Sequence, residues 1–173
     1  DSAWEGDPKW PQNLVQTAVQ TLEEHGLARK YGLSRAWDKL HQSAIDVGRS
    51  QPYEGSSWCT LSAGQAVQAG FTTPYGSKSF KEDIAEYGAT IQSGSAGALC
   101  GEFQSLSGDE IPKRLALPYG KLLLSRAIGT IDDSKFDNCV KNIDLKSRGK
   151  GIHLNDNLTM RDETKYGFYE SEG

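Results

Sequence analysis

Cys59 stands in the stretch EGSSWCTLSAGQAVQAG, residues 54–70, where small residues begin to read as a helix. A thiol at a helix N-terminus feels the positive end of the macrodipole, which favours the thiolate. Ser56, Ser57 and Thr60 place further polar groups around it. A nucleophilic thiol also needs a histidine to take its proton and an Asn or Asp to orient that ring. The chain has three histidines. His41 borders the apolar face of a predicted helix and reads as a packed or boundary residue. His25 falls at a predicted helix end, where an imidazolium suits the dipole. His153 lies in GIHLND beside Asn155 and Asp156, which makes it the base of this constellation. The hydrolase reading therefore joins Cys59 as nucleophile, His153 as base and Asn155 or Asp156 as the orienting group. It requires Cys59 and His153 to meet within roughly 3–4 Å. The competing reading is a cysteine buried in an Ala-rich helix interface.

The run SSWCTLSA is similar at a few positions to the start of the catalytic helix of papain-like peptidases, Cys-Trp-Ala-Phe-Ser-Ala. Here Cys and Trp stand in the reverse order, no Gln precedes at the usual place and no Asn-Ser-Trp follows. The likeness places the chain in no family. Paired carboxylates are the next chemistry. Glu54, Glu102 and Asp109 fall in predicted loops, but a chain with 23 acidic residues offers many such pairs. HLNDN, residues 153–157, offers oxygen and imidazole ligands without the spacing of an EF-hand or of HExxH, and it reads as a turn. Residues 88–110 are Gly- and Ser-rich yet contain neither GxGxxG nor GxxxxGK[ST], so no phosphate cradle is expected. Neither a metal nor a cofactor is implied. Asn157-Leu158-Thr159 forms a glycosylation sequon.

Net charge is −4, and the basic run at residues 145–151 reads as a solvated turn, so a nucleic-acid partner is not expected. No apolar run approaches a membrane span. Cys59, Cys100 and Cys139 lie far apart. Their spacing suits neither a zinc site nor a disulfide scaffold. One disulfide with one free thiol and three reduced thiols both fit. The opening DSAWEGDPKW fits a processed mature chain and an edited one alike. The compartment stays open, with an exported or organelle-lumenal setting favoured.

The elements that must position these residues read as helices. Leu14, Val15, Ala18, Val19 and Leu22 form a stripe after Pro11, stopping near Gly26. Ser34 is a candidate N-cap for a second helix carrying Trp37, Leu40, Ala44 and Val47 on one face and ending at Gly48. The short link predicts an antiparallel hairpin of these two helices. A helix over about 60–69 follows, then turn chemistry at TTPYGSKS. Ser79 and Glu82 open a short helix through Tyr87. Residues 88–110 read as a long loop with at most a short strand. LPYGKLLLSRAIG predicts a buried helix over 118–128. Asp132 and Asp133 could cap the next, in which Phe136, Cys139, Val140 and Ile143 share a face. There Cys139 is expected to be a packed core thiol. Alternation and late aromatics after Gly149 suggest a hairpin or an extended tail.

The predicted architecture is a single domain over residues 1–173. It is mainly α, with about five short-to-medium helices and long Gly/Ser-rich loops. A small β-hairpin near the C-terminus, if real, makes it α+β. Residues 1–10 and 160–173 read as irregular tails. They carry Trp4 and Trp10 at one end and Tyr166, Phe168 and Tyr169 at the other. Aromatics on segments with little regular structure, together with the Gly/Ser-rich loop over residues 88–110, suit docking on a larger protein assembly, a membrane-associated complex being one such setting. The sequence thus favours a soluble, non-catalytic accessory or binding protein, with the Cys59–His153 hydrolase as the alternative.

Overall fold

The computed structural model describes residues 29–55, 58–106 and 111–140. Among these are six α-helices and one 3-10 turn. α1 spans Arg29–Asp46. Its buried residues Leu33, Ala36, Trp37, Leu40 and Ala44 fall at i, i+3, i+4, i+7 and i+11, so a single stripe faces the core. Ser34 lies inside this helix, not at its cap, and the apolar face continues one step N-terminal of it through Leu33. The end is as the sequence predicts. Gly48 adopts φ +76°, Arg49 N–H donates to the Ala44 carbonyl at 2.8 Å and Gly48 N–H donates to that of Ile45 at 3.0 Å. This is the Schellman arrangement, which a left-handed residue closes.

α2 is short, Ala63–Gln68. Ser62 and Gln65 form a reciprocal capping box, with Gln65 N–H donating to Ser62 Oγ at 3.1 Å and Ser62 N–H donating to Gln65 Oε1 at 2.9 Å. The helix expected from residue 60 therefore starts later, because the box fixes its first turn after Ser62. A 3-10 turn, Pro74–Ser77, leads to α3, Phe80–Gln92. Ser79 caps α3 as expected, its Oγ accepting from Glu82 N–H at 3.1 Å. α3 does not stop at Tyr87. Gly88 lies within it, and a Cβ at that position would sit 2.9 Å from Thr130 Cβ. This glycine permits a close approach of the chain at Thr130 and marks no helix end.

The loop expected over residues 88–110 is corrected by the remainder of α3 and by α4, Gly97–Gln104. Leu99 and Phe103, four residues apart, bury one face of α4, and that burial outweighs the local preference of Gly and Ser for loops. α5, Lys113–Ile128, begins before the predicted start at Pro118. Pro112 takes the N-cap place, and Pro118 is accommodated inside the helix. From Leu115 to Ser125 every residue of α5 is buried, which places this helix at the centre. It packs against α1, α3 and α6. α6, Asp133–Cys139, is capped by Asp132, whose Oδ1 accepts from Lys135 N–H at 2.9 Å. Phe136, Cys139 and Val140 are buried as predicted.

Cys139 is buried but is not a core thiol: it is disulfide-bonded to Cys100, joining α6 to α4. Two cysteines on facing helices with Cα atoms 4.7 Å apart lie within bridging reach. The described residues share one hydrophobic cluster fed by α1, α3, α4, α5 and α6. None of the described helices is long and apolar enough to cross a membrane. The predicted helix after Pro11, its hairpin with α1, the C-terminal hairpin, Ile143 and both aromatic tails lie outside the described residues.

Candidate functional site

The most concentrated chemistry in the described residues lies in the core. Asp83 on α3 and Lys121 on α5 form an ion pair at 2.6 Å, with both side chains fully buried. Oδ2 of Asp83 also accepts from Trp37 Nε1 at 3.0 Å and from Tyr53 Oη at 2.7 Å. Lys121 Nζ donates to the Gly70 carbonyl at 3.1 Å, and Tyr87 Oη donates to the same oxygen at 2.7 Å. The ammonium lies 4.7 Å from the Phe71 ring centroid, 5.7 Å from that of Tyr87 and 5.8 Å from that of Trp37. Three aromatic rings so placed offset part of its desolvation. Burial pushes Asp83 up and Lys121 down, while their mutual contact opposes both shifts. Burial also raises the Tyr87 phenol, with the Asp83 charge adding to the shift.

This node joins α1, the segment after α1, the end of α2, α3 and α5. Gly70 is central to it. Its φ is +91°, and a Cβ there would lie 2.4 Å from Leu117 Cδ2, so the backbone can carry its carbonyl into the node only as glycine.

Tyr53 connects the node to a surface segment. Its phenol is raised by burial and by Asp83, and its ring stacks on His41 with centroids 4.2 Å apart. The same segment is held along its backbone. Glu54 N–H donates to the Ser77 carbonyl and Gly55 N–H to that of Lys78, each at 2.8 Å. The Glu54 carboxylate accepts from the Thr60 hydroxyl, and this bond lowers its pKa below the usual carboxylate range. Glu54 and Thr60 so tie together the two ends of the stretch that carries Trp58 and Cys59. Trp58 is 76% exposed, and Tyr75, on the neighbouring 3-10 turn, is 44% exposed. Lys78 Nζ lies 5.0 Å from the Tyr75 ring centroid.

Cys59 is a free, exposed thiol. It precedes the Ser62 cap and so lies outside the first turn of α2, which removes the dipole argument for its activation. The reading of Cys59 as a buried interface residue is corrected as well. His153, Asn155 and Asp156 lie outside the described residues, as do Trp4, Trp10, Tyr166, Phe168 and Tyr169. Of the carboxylates singled out, Glu102 pairs with Arg114, Glu54 serves its own loop, and Asp109 is not described. No group of three or more His, Cys, Asp or Glu among the described residues is placed to hold a metal. A cavity of about 330 Å³ between α3, α4 and α6 is lined by Gly94, Gly97, Gly101, Lys135 and the disulfide.

The sequence analysis missed the Asp83–Lys121 node. Two signals for it exist. Lys121 interrupts the apolar run of α5, and Asp83 occupies the same i, i+4 stripe of α3 as the buried Tyr87 and Ile91. Together these features define a disulfide-stapled helical module with a polar node beneath an aromatic-bearing loop. Comparison with protein-family models, curated proteins and solved structures yields no match.

Proposed function

We propose that this chain is a non-catalytic accessory protein that docks on a larger protein assembly, with Trp58 as an anchor. The observation that carries the proposal is the pairing of high exposure with a fixed root. Trp58 presents most of its surface to solvent, while the segment leading to it is bonded to the node through Tyr53, to the 3-10 turn through Glu54 and to Lys78 just after the turn through Gly55. An aromatic anchor flanked by bonded residues, Glu54 and Gly55 before it and Thr60 after it, loses little conformational freedom on binding. Tyr75 lies on the turn that those backbone bonds hold beside the loop. The aromatic tails, with Trp4, Trp10, Tyr166, Phe168 and Tyr169, supply the further contacts of this proposal.

Size-exclusion chromatography of extract from the source cells tests it. The wild-type chain is expected to elute in a larger assembly, and Trp58→Ala with Tyr75→Ala to elute alone with an unchanged far-UV circular dichroism spectrum. Co-elution of the double variant with the assembly would contradict the reading. The thiol-hydrolase alternative keeps one support, since Cys59 is the free and exposed cysteine while Cys100 and Cys139 are bonded to each other. Rapid alkylation of Cys59 at neutral pH that is lost in His153→Ala would move that alternative ahead.

A further inference from the structure

The segment over residues 49–55, which precedes Trp58 in the chain, is seated on a histidine with no room for a second proton. His41 projects from α1 and is 1% exposed. Its ring stacks on Tyr53 at 4.2 Å and lies 5.4 Å from the Phe71 ring. Nε2 lies 2.8 Å from the Gln51 carbonyl, an acceptor only, so Nε2 holds the proton and donates it. Ser50 Oγ, 3.5 Å from the same nitrogen, donates to the Ala69 carbonyl at 2.7 Å. Nδ1 is buried and has no hydrogen-bond partner among the described residues. Protonation would bury an N–H without an acceptor. It would also add a positive charge within the field of Lys121.

The ionisable groups around the ring come from three elements. Tyr53 belongs to the loop, Lys121 to α5 and Asp83 to α3. No hydrogen bond joins Asp83 to the ring: its Oδ2 is taken by Lys121, Trp37 and Tyr53, and its Oδ1, which has no hydrogen-bond partner among the described residues, lies beside Gly76. Phe71, which follows α2, brings no charge. Burial first and Lys121 second hold the imidazole neutral, and the bond to Gln51 acts in the opposite direction.

We propose that His41 is an acid-sensitive latch for the loop over residues 49–55: the charged ring is compatible only with a lifted loop, so acidification opens the loop locally and frees the segment carrying Trp58. The regulatory consequence rests on the docking reading above. The sign follows from proton linkage. The closed-state pKa is about 3, and solvation of the ring in the open state returns it toward 6.5. The open state therefore binds more protons below pH 6.5. Its population rises by about tenfold per pH unit there and levels off as the closed-state value is reached.

Amide hydrogen exchange on the full chain tests the latch, read at Glu54 and Gly55 and corrected for the intrinsic pH dependence of exchange. Protection at these two amides is expected to fall by about fiftyfold from pH 6.5 to 4.5, while the amides of residues 122–124 in α5 keep theirs. In His41→Gln the side-chain amide can still donate to Gln51 but cannot titrate, and the fall is expected to vanish. Unchanged loop protection in the wild type, the same fall in His41→Gln, or joint loss of loop and α5 protection would each overturn the latch. Should His41→Gln fail to fold, the ring carbon shifts of wild-type His41 decide. A ring still neutral at pH 5 supports the latch, and titration near 6.5 with Glu54 and Gly55 still protected overturns it. The experiment contains no partner, so its failure is distinguishable from failure of the docking proposal.

Discussion

The Cys100–Cys139 disulfide ties α4 to α6, and the Asp83–Lys121 node ties α3 to α5 and draws in α1 and the loop. Both join segments distant in the chain. The disulfide stabilises mainly by restricting the unfolded state, and it closes a loop with a sequence separation of 39 residues. Protonation does not alter it, and its partners cannot be exchanged one for another. The node acts in the native state alone. Its charges are compensated only while every partner is present, so partial loss costs more than the intact pair contributes. The covalent staple is indifferent to protonation, and the conditional one lies at the base of the segment that leads to the exposed Trp58.

The comparison can be broken at three points, taken from the largest expected effect down. Lys121→Met leaves Asp83 buried without its cation and is expected to lower unfolding free energy by about 3–5 kcal/mol. Adding Asp83→Asn should recover part of this loss. Denaturant unfolding of the single and double variants checks it, and a simple sum of the two single losses would deny the coupling. Replacing Cys100 and Cys139 together by Ala is expected to cost about 2–4 kcal/mol. That loss should be the same at pH 7 and pH 5, as measured by the same unfolding. A pH-dependent loss would mean that the staple and the node are not independent. Gly70→Ala strains a left-handed backbone, crowds Leu117 and displaces the carbonyl shared by Lys121 and Tyr87. About 1–3 kcal/mol is expected, with faster exchange at Glu54 and Gly55, since the node anchors their loop. An effect on stability without any on the loop would separate the two.

The helical class was legible in the sequence because stripes such as Trp37, Leu40 and Ala44 encode one buried face. Caps at Ser79 and Asp132 and the stop at Gly48 were legible for the same local reason. α4 was not. Its stretch is rich in Gly and Ser, and only packing of Leu99 and Phe103, with the disulfide at Cys100, holds it helical. Cys59 was misread because the Ser62–Gln65 box starts α2 beyond it. The node was missed because the signals at Asp83 and Lys121 mark burial of each residue alone, and nothing local shows that two residues 38 positions apart pair. His41 was read as packed or boundary and is packed; its bond to Gln51 and its stacking on Tyr53 depend on a loop path that local pattern does not encode.

Site-specific photocrosslinking tests the central claim most directly. A benzophenone side chain placed at Trp58 of the full chain is irradiated in extract from the source cells, with the same group at the exposed Lys39 on α1 as the control. The account predicts one discrete protein adduct from position 58, none from position 39, and competition of that adduct by unlabelled wild-type chain. No adduct from position 58, or the same adducts from both positions, would contradict the claim that this loop is the docking anchor.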